Sequence, residues 1–125
     1  MDVTPLIPEG RQVIQNYGGG GFKVSGQAHT GAVIVTPVAT AAWDVPTKFS
    51  DLRETHFDVE ILADSGIDIL LLGCGAKGEF VSPALRKALK EKGLTVDSMD
   101  TGAACRTYNV LMAEGRRVAA ALMPF

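Results

Sequence analysis

The stretch Ile67-Asp-Ile-Leu-Leu-Leu72, followed directly by Gly73-Cys-Gly75, decides the fold. Its apolar run is interrupted only by Asp68, which is typical of a strand covered on both faces by other parts of the protein. Strands of this kind belong to parallel sheets flanked by helices. We therefore predict an α/β domain, in which the neighbouring sequence alternates between strands and helices.

The residues after this strand predict a helix and a second strand. Ser82 is a good helix cap, Pro83 fits the first helical position, and Gly93 suits a left-handed stop. Apolar residues between them recur at helical spacing and form one stripe. Residues 94–99 then predict the next strand.

A second helix and a third strand complete the alternation. Asp100 or Thr101 can cap a helix that runs through Glu114. Residues 117–123 are rich in alanine, which favours a helix, but the strand–helix rhythm requires a strand there and we choose the strand. The second half is thus predicted to be a β-α-β-α-β unit with a parallel sheet and right-handed crossovers.

The first half contains short runs that are typical of strands, at residues 13–17, 22–24 and 32–35. The glycines at 18–21 predict a turn or a bulge. These strands either extend the parallel sheet or form a small antiparallel addition to it. Residues 58–63 predict a short helix capped by Asp58, with a strand as the alternative.

Composition indicates one globular domain. The chain has 125 residues, 46% hydrophobic and 21% charged, and we expect residues 1–9 to form a loose N-terminal arm. A net charge of −2 offers no attraction to nucleic acid or anionic lipid. Without a leader pattern or an apolar window of about 18 residues, we expect a cytoplasmic protein that is not inserted in a membrane. Cys74 and Cys105 are expected to be reduced thiols.

Two glycine-containing loops are the candidate site. Ligands of open parallel sheets bind beyond the carboxyl ends of the strands, which here are Gly73-Cys-Gly75 and Asp100-Thr-Gly102. If the strands are neighbours, the loops flank one crevice, where free N–H groups favour a small anionic partner. Residues 73–78 also match the dinucleotide pattern G-x-G-x-x-G, but the helix is predicted to start only at Ser82, so we interpret the glycines as a tight turn and expect no cofactor.

Side chains of the second helix could complete this site. Asp100 and Thr101 are either helix caps or ligand contacts. Arg106 either grips a carboxylate or phosphate with its planar fork or pairs with Asp100. Tyr108 and Asn109 either belong to the site or form hydrogen bonds to a neighbouring loop.

Cys105 is the candidate reactive thiol. A place in the first turn of a helix beside Arg106 lowers a thiol pKa, and the alternative is a small, buried and inert residue. Trp43 is either an interface anchor or a plug in a buried loop. His29 and His56 lack metal-ligand spacing and no catalytic motif is complete, so we predict neither a metal site nor a catalytic centre.

Three segments resemble the family known as domain of unknown function 498. The first two are Tyr17-Gly-Gly-Gly-Gly-Phe22 and Leu72-Gly-Cys-Gly75. The third and most specific is Met99-Asp-Thr-Gly-Ala-Ala-Cys-Arg-Thr-Tyr-Asn109, continued by Ala113-Glu-Gly-Arg-Arg-Val-Ala-Ala-Ala121. The resemblance extends over residues 10–123.

The resemblance implies a three-layer α/β fold with a mixed central sheet. The family includes the mitochondrial complex I assembly factor 3 and the adipogenesis-associated proteins of animals, and it has no settled catalytic residues. It therefore implies a non-enzymatic interaction module with a protein partner from a respiratory or other membrane complex. A binder of small anions at the two loops is the alternative. Because the sequence lacks a transit peptide, it looks like a bacterial relative.

Overall fold

The apolar run at residues 67–72 becomes a strand with a parallel neighbour on each side in the computed structural model, which describes residues 10–64 and 66–125. The predicted N-terminal arm lies outside the described residues. The strands are β1 (Ile14–Gly18), β2 (Gly21–Val24), β3 (Gln27–Thr30), β4 (Val33–Val35), β5 (Thr40–Ala42), β6 (Ile69–Gly73), β7 (Thr95–Met99) and β8 (Val118–Leu122). The helices are α1 (Glu60–Asp64), α2 (Pro83–Glu91) and α3 (Thr101–Ala113), with short 3-10 helices at Phe49–Asp51 and Glu54–Phe57.

The main sheet has the strand order β5-β4-β8-β6-β7. β6 pairs in parallel with β7 and with β8, whereas β4 pairs antiparallel with β5 and β8. The chain passes from β6 to β7 through α2 and returns across β6 to β8 through α3. The predicted β-α-β-α-β unit is therefore confirmed, and the sheet is mixed because β4 and β5 extend it.

Two apolar clusters fill the two faces of the main sheet and give the fold its three layers. Along β6, the side chains of Leu70 and Leu72 enter one cluster and that of Leu71 enters the other. The first cluster contains Leu89 of α2, and the second contains Tyr108 of α3. The strand is buried on both faces, as its apolar run predicted.

Side-chain caps set the starts of the two longer helices at the predicted residues. The Ser82 hydroxyl accepts a hydrogen bond from the Leu85 N–H at 3.2 Å. The Asp100 carboxylate accepts one from the Ala103 N–H at 2.9 Å. Gly93 follows α2 with a φ of +87°, the left-handed conformation that glycine adopts without strain.

Residues 58–63 contain a helix rather than a strand, although it begins later than predicted. α1 starts at Glu60. The carboxylate of Asp58, the predicted cap, instead accepts a hydrogen bond from the Lys92 ammonium group at the end of α2. Lys92 also lies 3.6 Å from the Glu54 carboxylate, so its charge links α2 to the segment before α1.

β1, β2 and β3 form a separate antiparallel sheet, so the first half provides both an extension and an addition. Gly19 and Gly20, with φ values of +62° and +80°, make the tight turn between β1 and β2 that the glycine run predicted. Phe22 and Val24 of this sheet pack in the cluster beneath α3. β3 and β5 were not predicted, because they are short and lack an apolar alternation.

Candidate functional site

The carboxyl ends of three parallel strands lie side by side at one edge of the main sheet. In the register, Gly73 of β6 is opposite Met99 of β7 on one side and Leu122 of β8 on the other. The Cys74 N–H donates to the Met99 carbonyl at 2.9 Å, and the Met123 N–H donates to the Gly73 carbonyl at 3.0 Å. We call this region, residues 73–81, 99–102 and 123–125, the strand-end edge. The predicted convergence of the two loops is confirmed.

Thr101 bonds the two loops and the end of β8 together. Its hydroxyl donates to the Met123 carbonyl at 2.7 Å and accepts from the Gly75 N–H at 2.8 Å. The Thr101 N–H donates in turn to the Gly75 carbonyl at 2.9 Å. Thr101 is fully buried. Amide hydrogens that we expected to face an open crevice are therefore engaged in hydrogen bonds between the two loops.

The first two glycines of the G-x-G-x-x-G match serve packing and turning. A Cβ atom on Gly73 would lie 2.9 Å from both the Leu122 Cδ2 and the Thr101 Oγ1, closer than atoms can approach. Gly75 has a φ of +96°, which favours glycine. A Cβ on Gly78 would meet its neighbours only at ordinary distances, the nearest being 3.5 Å. α2 begins only at Pro83, as predicted, and the tight-turn interpretation holds for Gly75 but not for Gly73, which is the last residue of β6.

Arg106 turns away from Asp100 and toward the small sheet. Its guanidinium donates to the Tyr17 hydroxyl at 2.6 Å. A Cβ on Gly102 would lie 3.1 Å from the Tyr17 ring, so the glycine lets this ring approach α3. The Tyr17 ring also lies 6.1 Å from that of Phe125, measured between centroids. Asp100 is engaged as the α3 cap, so Arg106 joins β1 to α3 in this structure rather than pairing with that carboxylate.

Tyr108 and Asn109 form hydrogen bonds to the segment that leads into β1. This agrees with the second of their two predicted roles, which was bonding to a neighbouring loop. The buried Tyr108 hydroxyl donates to the Gln12 carbonyl at 2.8 Å, and burial raises the pKa of this phenol. The Asn109 side-chain amide pairs with Ile14 as a neighbouring strand would, because its oxygen accepts from the Ile14 N–H at 3.0 Å and its NH₂ donates to the Ile14 carbonyl at 2.8 Å.

The structure places the Cys105 thiol in the core, as the alternative of a buried residue predicted. The side chain is 1% exposed between α3 and the sheet. Burial raises the pKa of the Cys105 thiol to about 12, which outweighs the opposite effect of the Arg106 charge. Burial also raises the pKa of the Cys74 thiol. Both cysteines are free, as expected, and both are buried.

Trp43 is a plug in a buried loop and not an exposed anchor. Its ring is 4% exposed and lies 5.4 Å from that of Phe57, measured between centroids. The indole N–H donates to the His56 carbonyl at 2.7 Å. These contacts fix the loop between β5 and α1 on the face of the sheet that carries α2.

Phe80 is the feature of the strand-end edge that the sequence analysis missed. Its side chain is 99% exposed, within a loop whose residues 76–80 all face solvent. The loop is nevertheless held in place, because the Ser98 hydroxyl donates to the Glu79 carbonyl at 2.7 Å. An aromatic residue inside a strand-to-helix loop, between a strand end and a helix cap, was the available signal.

A groove of about 790 Å³ lies at the other end of the parallel strands, where β6 and β7 begin. Apolar side chains line it together with Lys92, and they are those of Phe57, Leu62, Ile67 and Leu94. None of these residues was predicted as a site, because the side chains come from separate segments. Within residues 10–64 and 66–125, no helix is long and apolar enough to cross a membrane.

Comparison with known proteins identifies relatives over nearly the whole chain. The family model described as "Protein of unknown function (DUF498/DUF598)" matches residues 14–123. An uncharacterised protein of Rhodobacter capsulatus is 38% identical over 111 residues, which is 89% of this chain and 83% of that protein. A zebrafish relative, NADH dehydrogenase [ubiquinone] 1 alpha subcomplex assembly factor 3, is 36% identical over 112 residues.

That match spans 90% of this chain but only 64% of the length of the zebrafish protein. The crystal structure of a protein from Bordetella parapertussis superposes with a TM-score of 0.82 at 33% sequence identity. That match covers 94% of this chain and all of the other. The fold described above is therefore shared with a solved structure over most of the chain.

Proposed function

Because the chain belongs to the DUF498/DUF598 family of proteins of unknown function, we propose that it is an interaction module that binds a protein partner during assembly of a respiratory or other membrane complex. Support comes from the zebrafish relative, whose name is that of an assembly factor of NADH dehydrogenase. We further propose that the chain acts in the cytoplasm, without insertion into the membrane.

The exposure of Phe80 is the observation that carries a protein-binding function. A single exposed apolar residue needs no explanation by itself. Here, however, the ring is 99% exposed on a loop that a hydrogen bond from Ser98 fixes to β7, and the half-exposed Phe125 lies at the same edge. Aromatic residues are enriched where partners bind, because one ring contributes a large contact area for little loss of freedom.

The candidate residues at the two loops hold the backbone near Phe80 in a fixed position. Gly73, Gly75 and Thr101 hold the strand ends together, and Asp100 starts α3 at a fixed position. A fixed frame reduces the entropy lost when a partner binds, which favours affinity. We therefore propose that they are scaffold residues, with Phe80 as the main contact.

Binding of a small anion at the loops has less support. The Gly75 and Thr101 amides would have to leave their present acceptors before they could donate to an anion. Arg106 is exposed and could contact an anion, but its guanidinium is engaged with Tyr17. We keep the interaction module as the proposed function.

Affinity purification from the organism that encodes the chain, with mild crosslinking, tests the proposal. We expect the tagged chain to recover subunits of a NADH dehydrogenase or of another membrane complex. Phe80→Ser should lose most of this recovery while the thermal unfolding midpoint stays unchanged, since the ring is exposed in the folded chain.

Val38→Ser is the matched control, because Val38 is also an exposed apolar residue, at 65%, but lies between β4 and β5. This variant should keep the partner. Recovery of no complex subunit by the unaltered chain would count against the proposed function. Equal recovery by the Phe80 and Val38 variants would exclude Phe80 as the main contact.

A further inference from the structure

β7 stands at one edge of the main sheet among the described strands. The Thr95 N–H and the Met99 carbonyl bond to backbone on the β6 side, at 2.8 and 2.9 Å. Peptide groups in a parallel strand alternate in direction from one residue to the next. Val96 and Ser98 therefore direct their N–H and carbonyl groups outward, where another strand could pair with them.

A side chain already occupies one of these outward groups. The Arg86 guanidinium, from α2, donates to the Val96 carbonyl at 2.5 Å. It holds the position that the N–H of an added strand would take. Arg86 is exposed, so an incoming strand can replace it without disturbing the core, and its charge is then free for a carboxylate.

The groove beside this edge has an excess of positive charge. It lies between α2 and β7 and has a volume of about 500 Å³. Arg86, Lys87 and Lys90 line it and are exposed, whereas Glu91 is the only carboxylate among its described lining residues. Side chains of a strand point alternately to the two faces of a sheet. Every second side chain of an added strand would therefore face these cations.

We propose that β7 and the basic side chains of α2 bind an extended segment of a partner protein, which adds to the sheet beside β7 and carries acidic side chains on the face toward α2. This inference rests on the proposed function and specifies the chemistry of the partner. The main-chain pairing supplies affinity, and the charges on α2 select the segment.

A second copy of this chain fits the edge poorly. Two β7 strands paired about a two-fold axis would place Asp97, at the centre of the strand, opposite its own equivalent. The same axis would bring the basic residues of the two α2 helices together on one face. Like charges would therefore meet on both faces, which favours an acidic partner over self-association.

Synthetic peptides test the inference directly. The probe alternates Thr and Glu over about ten residues, and a peptide of alternating Thr and Lys is the control. At about 1 mM peptide, we expect amide chemical-shift changes at β7 and α2 with the acidic probe, and binding at least about tenfold weaker for the basic one. The absence of shifts at β7, or equal binding of both peptides, would overturn the inference.

Two sets of variants separate main-chain pairing from charge. Ser98→Pro removes an outward N–H and is tolerated on an edge strand, while Ser98→Ala removes the same hydroxyl but keeps the N–H. We expect the acidic probe to bind Ser98→Ala and not Ser98→Pro. The double variant Lys87→Glu/Lys90→Glu, on the exposed face of α2, should reverse the preference between the two peptides. Unchanged preference, or full binding to a folded Ser98→Pro chain, would contradict the pairing proposed.

The outcome for Phe80→Ser is separable from this test. If the Phe80→Ser variant no longer recovers the complex and the unaltered chain does not bind the acidic probe, the inference about β7 fails and the proposed function stands. If the probe adds to β7 but no complex subunit is recovered, the inference about β7 stands and the proposed function fails.

Discussion

Replacing Thr101 by valine should destabilise the protein through the loss of one hydroxyl group. Valine has nearly the same shape as threonine and is equally branched, so the change leaves the volume of the site filled. It removes the group that donates to the Met123 carbonyl at 2.7 Å and accepts from the Gly75 N–H at 2.8 Å. Both backbone groups would lose this partner in a fully buried place.

The expected loss follows from these two groups. A buried backbone group without a partner costs about 1–3 kcal/mol, so the pair costs about 2–6 kcal/mol. This is a large part of the roughly 5–15 kcal/mol by which a domain is stable. Thr101→Ser is the matched control, because it keeps the hydroxyl and loses one methyl group, for about 1 kcal/mol.

Urea unfolding followed by circular dichroism measures both changes. We expect a lower midpoint for Thr101→Val with an unchanged slope, and a smaller decrease for Thr101→Ser. If Thr101→Ser were the more damaging change, packing of the methyl group would be the main contribution of Thr101. A Thr101→Val chain within about 0.5 kcal/mol of the unaltered protein would refute the reasoning that the hydroxyl joins the loops.

Three further predictions concern the strand-end edge and helix α3. Gly73→Ala should lower the free energy of unfolding by about 2–3 kcal/mol through steric overlap, and Gly78→Ala should be neutral within about 0.5 kcal/mol; equal effects in urea unfolding would argue against close packing at Gly73. Asn109→Ala should cost about 2 kcal/mol and speed hydrogen exchange of the Ile14 amide, and an unchanged exchange rate would contradict the pairing. With a pKa of about 12, Cys105 should react with iodoacetamide at pH 8 about a thousandfold more slowly than a free thiol, as mass spectrometry of the folded and urea-unfolded chain can show; equal rates would place the thiolate at the surface.

The parts of the fold that could be predicted are those set by local chemistry. A helix start leaves backbone N–H groups that a nearby side chain must satisfy, so Ser82 and Asp100 marked α2 and α3 correctly. The apolar run at 67–72 identified β6, because burial on both faces leaves no room for polar alternation. β3 and β5 could not be recognised, since each exists only through pairing with a neighbour whose position depends on the whole fold.

The two loops of the candidate site converge as predicted, but the directions of the side chains on α3 were not fully predicted. Consecutive residues on a helix point about 100° apart, so a small error in the orientation of α3 exchanges an exposed side chain for a buried one. Cys105 faces the core and Arg106 faces Tyr17, although the two are adjacent in sequence. The position of Phe80 in a strand-to-helix loop was a signal that could have been noted, but a loop sequence does not indicate whether an aromatic ring packs inward or stays in solvent.

The register of three strands supports the proposal that the strand-end edge binds a protein partner rather than a small ligand. Two parallel strands whose following loops part in opposite directions leave a crevice with free amides, and ligands bind there. Here β8 ends beside the end of β6. Just beyond β8, the Met123 carbonyl accepts a hydrogen bond from the Thr101 hydroxyl. The crevice is thereby filled by the chain itself, and a ligand would have to break at least two hydrogen bonds to enter. The same hydrogen bonds make the strand-end edge rigid. A partner that binds at Phe80 would therefore lose little conformational entropy in this part of the protein.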